Sequence, residues 1–283
     1  MEKTATKPVA APKAAAPKKS SGFQGIRAAF WVIVVCFIIA ICIFKFVLGN
    51  PNNFEGGDPE GHPINLLGTI YKGGYVVPII HTLLLTVIAL SIERWLALRT
   101  AFGKGSLAKF TAAIKEAVAK QDFAKAQQLC DKQRGSVANV VSASIRAYQD
   151  MERTTGVKKA QKVAKIQQAH EEATQLEMPT LQMNLPILAT LVTLGTLTGL
   201  LGTVTGMIKS FQALAAGGGG DSLALSTGIS EALINTAFGI LTSWCAVISY
   251  NTFSNKIDKL TYALDEVGYS IAQTYETTHQ EEA

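Results

Sequence analysis

The sequence predicts an all-α membrane protein, with four transmembrane helices and a cytoplasmic helical domain. Three observations predict it. Only 17% of the 283 residues are charged, against about a quarter in an ordinary soluble domain. The shortfall is concentrated in four apolar runs, residues 28–48, 75–98, 185–208 and 223–250. Each supplies the ~20 residues a helix needs to cross a bilayer, and no segment shows the ~10-residue alternation of a membrane β-strand. The segments between the runs are normally charged.

Lys and Arg gather on the cytoplasmic side of short loops, and their distribution orients the spans. Lys3, Lys7, Lys13, Lys18, Lys19 and Arg27 precede the first run. Lys72 is the sole Lys or Arg of residues 49–74, which also hold Glu55, Asp58 and Glu60. Residues 99–184 are dense in Lys and Arg, residues 210–222 have none, and Lys256 and Lys259 follow the last run. Both termini and the large loop are therefore expected inside. Lys45 and Lys209 fall near outer helix ends, where their stems can snorkel. The net charge of +5 reports this orientation and not nucleic-acid binding, since no basic patch is interleaved with aromatics.

Taken in order, residues 1–27 are Ala/Pro/Lys-rich and are predicted to be a disordered basic tail that can lean on anionic lipid. The run at 28–48 follows Lys18, Lys19 and Arg27 as a signal peptide would. Its apolar part exceeds the ~7–15 residues of a signal core and no clean cleavage site follows, so it reads as a retained helix. Residues 49–74, with Pro51, Pro59 and Pro63, are expected to form an irregular outer loop. The second span, 75–98, carries His81 near its outer end as a packing residue. Glu93 and Arg94 close it at the inner face as an interfacial anchor pair.

Residues 99–184 read as helical. Leu107, Phe110, Ile114, Val118, Phe123 and Leu129 recur at helical spacing, and a second helix follows a break at Gly135. From Val157 the pattern stays helical, with Pro179 and Pro186 as kinks, and can run into the third span. Fifty such residues would make a stalk ~75 Å long. The third span is 185–208, the outer turn 209–222 contains Gly217 to Gly220, the fourth span is 223–250, and 251–283 is an inner helix or tail.

Catalysis finds no support. Residues 103–106, GKGS, lack the leading glycine of a phosphate loop, and no nucleophile–base set is visible. Cys36, Cys42, Cys130 and Cys245 have no metal spacing and are expected as free thiols. The chain is therefore expected to be no enzyme, with no cofactor and no metal.

The last two spans carry the information. Gly195, Gly199, Gly202 and Gly206 recur at intervals of three or four, one stripe of a helix, and such stripes let helix backbones approach closely in lipid. Thr196 and Thr203 flank the stripe. Their hydroxyls either bond back to their own backbone or line a polar path. On the fourth span, Glu231 starts a polar arc. At 100° per residue Thr242 falls about 20° from it, Asn235 about 40°, Ser243 about 120° and Thr236 about 140°. Leu233, Ile240 and Val247 fall on the opposite arc. A carboxylate in hydrocarbon costs at least ~2.5–3.5 kcal/mol, which is tolerated where it faces a cavity or partner. The alternative is that a long helix leaves Glu231 wet at the interface.

These segments resemble a known family. LLGTVTGMIKSF, GISEALINTAFGI and ISYN, with SIERWLAL in the second span, are similar to the ExbB/TolQ/MotA group of proton-driven motor subunits, and most of all to ExbB and TolQ. MotA-type stators typically lack a glutamate at the place of Glu231. The resemblance implies a homopentamer in the bacterial inner membrane, with the last two spans around a central pore. It implies an ExbD-like dimer of single-span helices inside that pore, whose aspartate is the main proton carrier, and a TonB-like protein energised by the motion. The family's pore threonines fall on Thr203 and Thr236, and its intramembrane glutamate on Glu231. Thr196 and Asn235 are expected beside them on the proton path. The TolQ-like or motility-type motor is the alternative within the family, and a non-conducting scaffold the alternative outside it. The sequence departs from the family pattern in lacking the proline before LLGLLGT, in having Trp244-Cys245 for a late Ile-Pro, and in its first span.

Overall fold

The computed structural model describes residues 29–59, 61–216 and 222–280. The basic tail at 1–27 and the glycine run at 217–220 lie outside the described residues. Four helices among the described residues are long and apolar enough to cross a membrane. They follow the four apolar runs of the sequence.

Helix α1 spans Ala29–Cys42 and widens into a π turn over Ile43–Leu48, where Gly49 N donates to Phe44 O at 2.9 Å. Its outward face is apolar, with Phe30 and Trp31 exposed, as expected of a helix against lipid. The loop that follows is ordered, which corrects the expectation of an irregular segment. Asn53 is buried, and its Nδ2 donates to the carbonyls of Val47 (2.8 Å) and Leu48 (2.9 Å) at the end of α1. Asn53 Oδ1 accepts from Asn65, and Asn65 Oδ1 in turn caps α2, Leu66–Lys72, by accepting from Gly68 N at 2.9 Å. Helix α2 then buries Ile70 against Leu48 and Val77, and Tyr71 stacks on Phe44.

Helix α3 spans Val76–Phe102. Near its lower end Glu93 and Arg94, expected as a pair at the inner face, are 4% and 0% exposed and so lie buried within the protein. Arg94 Nε donates to Glu93 Oε2 at 2.6 Å, and its Nη2 reaches Glu93 Oε1. Arg94 Nη1 donates to Thr180 O (3.2 Å) and Leu181 O (3.4 Å). Those carbonyls close α7, Lys159–Gln182. The chain breaks there, at Met183 and Asn184, before α8, Leu185–Ala216. Asn184 has φ 64° and donates to Glu93 Oε2 at 3.2 Å. The helical run expected to reach the third span is therefore interrupted by this two-residue turn. Pro186, in the first turn of α8, tolerates the break because its missing N–H needs no partner. Pro179, inside α7, does not interrupt it.

The long continuous helix is instead α9, Ser222–Thr278, whose 57 residues span about 85 Å at 1.5 Å per residue. Its apolar half is the fourth span, and its lower half packs with α4 (Leu107–Ala119), α6 (Gly135–Arg153) and α7. Helix α5 (Phe123–Gln133) is separated from α4 by Gln121 at φ 57° and capped by Asp122, whose carboxylate accepts from Lys125 N. Ile114, Val118, Val137, Val141, Ile145, Leu260 and Leu264 fill this bundle. At its far end Tyr148 and Tyr275 meet edge to face at 4.9 Å. His170 is buried among α6, α7 and α9, with Nδ1 2.8 Å from Ser144 Oγ, and a Cβ on Gly268 would clash with its ring. All four cysteines are free, and burial pushes the Cys130 thiol up to about 12.

Candidate functional site

The glycine stripe of α8 meets the small-residue face of α9 within the same chain. A Cβ at Gly195 would stand 3.0 Å from Gly239 O, one at Gly199 3.1 Å from Gly239 Cα, and one at Gly206 2.7 Å from Ala232 Cβ. A Cβ at Gly202 would stand 2.5 Å from Asn235 Cβ. The distances at Gly202 and Gly206 are shorter than a side chain allows and those at Gly195 and Gly199 are tighter than most Cβ contacts, so the close backbone approach here favours residues without side chains.

This close approach brings hydroxyls together. Thr203 and Thr236 touch through their Oγ1 atoms. Each Oγ1 lies 3.2 Å from Gly199 O, and Thr203 Oγ1 is also 3.3 Å from Ala232 O. A hydroxyl carries one hydrogen, so the two threonines share these acceptors and can exchange partners. Thr203 bonds back to its own helix, the first of the sequence alternatives, and its hydroxyl also meets that of Thr236. About two turns along, Thr196 Oγ1 lies 2.7 Å from Ser243 Oγ, and Thr196 is exposed. The seam is thus a ladder of glycine contacts with two hydroxyl pairs.

Asn235 goes elsewhere. It is 2% exposed, and its Nδ2 donates at 3.0 Å to the Gly73 carbonyl at the corner between α2 and α3. It fastens that corner to α9. Thr242 is likewise buried and bonds back to Phe238 O at 2.8 Å. His81 packs on the Phe238 ring at 5.0 Å, with Nδ1 2.9 Å from Val77 O, in keeping with a packing residue.

Glu231 is half-buried and lines a cleft of about 490 Å³. One wall is α8 and α9, with Thr205, Gly206 and Gly228. The opposite wall is the folded loop and the α2–α3 corner, including His62, Lys72 and Tyr75. Lys209 reaches in from α8 with its ammonium 5.2 Å from the Tyr75 ring. Lys72 and Lys209 both act electrostatically on the Glu231 carboxyl. The structure thus brings Thr203 with Thr236, and Thr196 with Ser243, while Asn235 lines the cleft with Glu231 and bonds to the Gly73 carbonyl. The cleft residues Thr205, Lys72 and Lys209 were missed as site residues. Their signal was slight: a lone lysine in an acidic loop and one at a helix end.

Fold and seam define a multi-pass helical membrane protein whose last two spans are joined backbone to backbone beside a carboxylate-bearing cleft. Residues 135–266, just under half of the chain, match the model of the MotA/TolQ/ExbB proton channel family. The region holds α6, α7, α8 and most of α9, and with them the whole seam. The Tol-Pal system protein TolQ of Pseudomonas aeruginosa is 27% identical over 194 residues, 64% of this chain and 81% of that protein. A Synechocystis protein named as ExbB-like and for biopolymer transport is 30% identical over 87 residues, 30% of this chain and 41% of that protein.

Proposed function

We propose that the chain is the proton-channel subunit of a bacterial inner-membrane motor of the ExbB or TolQ kind, in which Glu231, Thr203 and Thr236 serve the proton path. The match to the proton channel family model supports the general class. The observation that carries the site assignment is the Thr203–Thr236 contact, at the same end of the seam as the Glu231 cleft. Hydroxyls that can exchange acceptors offer a rotor helix weak, replaceable contacts, so they guide it without trapping it. One elementary charge crossing ~100 mV releases ~2.3 kcal/mol, so a few protons per step suffice to move such a helix.

In this reading the loop end, with residues 49–74, faces the periplasm, and the α4–α7 bundle and both termini are cytoplasmic. Five copies surround an ExbD-like dimer that supplies the carrier aspartate, and the motion energises a TonB-like protein. Thr196 belongs to the lower part of the same polar path, while Asn235 holds its wall. A TolQ-like motor is the second reading, favoured by the alignment across 81% of TolQ.

The test is proton flux into liposomes holding the chain with its co-expressed partner. Glu231→Ala and Thr203→Val are expected to assemble normally and to conduct poorly. Wild-type flux in both variants sinks the assigned roles. Absence of flux in the wild-type complex supports the scaffold instead. Co-purification of a TonB-like protein separates the ExbB reading from the TolQ one.

A further inference from the structure

Three segments meet just below the second span, and their meeting gathers basic side chains. The outward face of α3 ends with Ile92, Trp95 and Leu96, all exposed. Arg99 follows one turn on, its guanidinium 5.5 Å from the centre of the Trp95 ring. The turn after α3 is joined to the turn between α5 and α6. Lys104 N donates to Gln133 O at 2.8 Å, and the buried Gln133 side chain donates to Phe102 O at 2.7 Å. A Cβ on Gly135 would stand 2.6 Å from Thr100 O, so backbone crosses backbone there. The crossing puts Arg99, Lys104, Lys132 and Arg134 at one corner, and all four are exposed. Residues 99–109 and 131–135 hold five cations, these four and Lys109, against one acid, Asp131. Among the described residues none of the four forms an ion pair. Glu93 and Glu177, acids near this level, are engaged by Arg94 and Asn139.

We propose that this corner is a docking surface for the phosphate headgroups of anionic phospholipid, which clamp the α4–α7 bundle to the bilayer. The proposal goes beyond the motor reading and needs only that α3 crosses a membrane. Trp95 marks the headgroup level, since tryptophan prefers that boundary. Phe102 lies seven residues further, about 10 Å at helical rise, so the corner stands roughly one Debye length from the surface. Lysine and arginine stems are long enough to carry their charges back towards the headgroups. Clusters of roughly four or more cations immediately beside a span draw anionic lipid in this way. A zwitterionic lipid brings its own ammonium to the same corner and gains little. Lipid prevails over free phosphate because the bilayer holds its phosphates beside the corner at high local concentration.

Trp95 can report the lipid at this corner. The full chain with Trp31→Phe and Trp244→Phe keeps Trp95 alone. It is reconstituted in bilayers of phosphatidylcholine with a minor share of phosphatidylglycerol. Bromine, which quenches tryptophan on contact, is placed on the acyl chains of one lipid or the other. Phosphatidylglycerol is expected to be enriched beside Trp95 by about tenfold over its bulk share, falling to within about twofold in Lys104→Gln/Lys132→Gln/Arg134→Gly. Glycine suits position 134, where φ is 59° and ψ is −177°. Should size exclusion show that this variant folds poorly, Lys104→Gln/Lys132→Gln is used and is expected to lose about threefold. Lys125→Gln/Lys158→Gln/Lys159→Gln removes three charges from the far end of the bundle and is expected to keep the enrichment. Equal quenching by the two brominated lipids around Trp95 overturns the proposal. So does an enrichment that survives the corner variants or vanishes with the distant one. Millimolar inorganic phosphate is expected to leave the enrichment intact, and its loss there overturns lipid as the occupant.

Discussion

Replacing Arg94 tests the joint between the spans and the bundle. Its guanidinium is fully buried, holds both oxygens of Glu93 and donates to the Thr180 and Leu181 carbonyls. Arg94→Met keeps the volume and removes every donor. Glu93 then retains Asn184 as a neutral partner and loses the buried guanidinium that balanced its charge. Removing one member of such a pair costs about 3–5 kcal/mol. Glu93→Leu/Arg94→Met removes the stranded charge as well and is expected to recover most of that loss. What stays lost is the capping of α7, about 1–3 kcal/mol for buried acceptors left unpaired. The assay is equilibrium unfolding in mixed detergent micelles followed by circular dichroism. A single variant within ~1 kcal/mol of wild type, or a double variant less stable than the single, refutes the reasoning.

Three further outcomes follow from other parts of the fold. Gly202→Val places methyl groups where Asn235 already stands, and overpacking of this kind costs about 1–3 kcal/mol. Reduced thermal stability in detergent is expected, while Gly156→Ala, with no atom within 4 Å, shows only the smaller strain of its φ of 76°. Asn53→Ala removes the two bonds that tie the loop to α1, so faster protease cleavage within residues 50–65 is expected, with unchanged cleavage refuting the tie. For Cys130, burial raises the thiol from an ordinary value near 9.0 to about 12 in the fold. The unfolded chain therefore releases this proton first, and stability falls as pH rises from about 8.5 towards the folded value. Native protein is expected to resist maleimide at Cys130 in mild alkali, and Cys130→Ala to flatten the alkaline loss of stability.

The sequence by itself determined the spans, the seam and its hydroxyls. An apolar run of span length has one solution in lipid, a helix, because its backbone must satisfy its own hydrogen bonds. Glycines at intervals of three and four fix a face by helical period alone, and the small arc of α9 is legible by the same arithmetic, so the contacts of Gly195, Gly199 and Gly206 follow locally. What only the tertiary structure decided involves residues distant in sequence. Arg94 is buried because the end of α7 comes to it, and the stalk breaks because Glu93 and Arg94 hold the strained Asn184 turn. Asn235 lies within the polar arc by angle, yet it faces the Gly73 carbonyl, 162 positions away. Lys72 lines the Glu231 cleft because Asn235 holds the α2–α3 corner on α9, and Lys209 lines it because α8 packs on α9. Helical periodicity gives each side chain a direction about its own axis, but which surface lies in that direction is set by packing between helices.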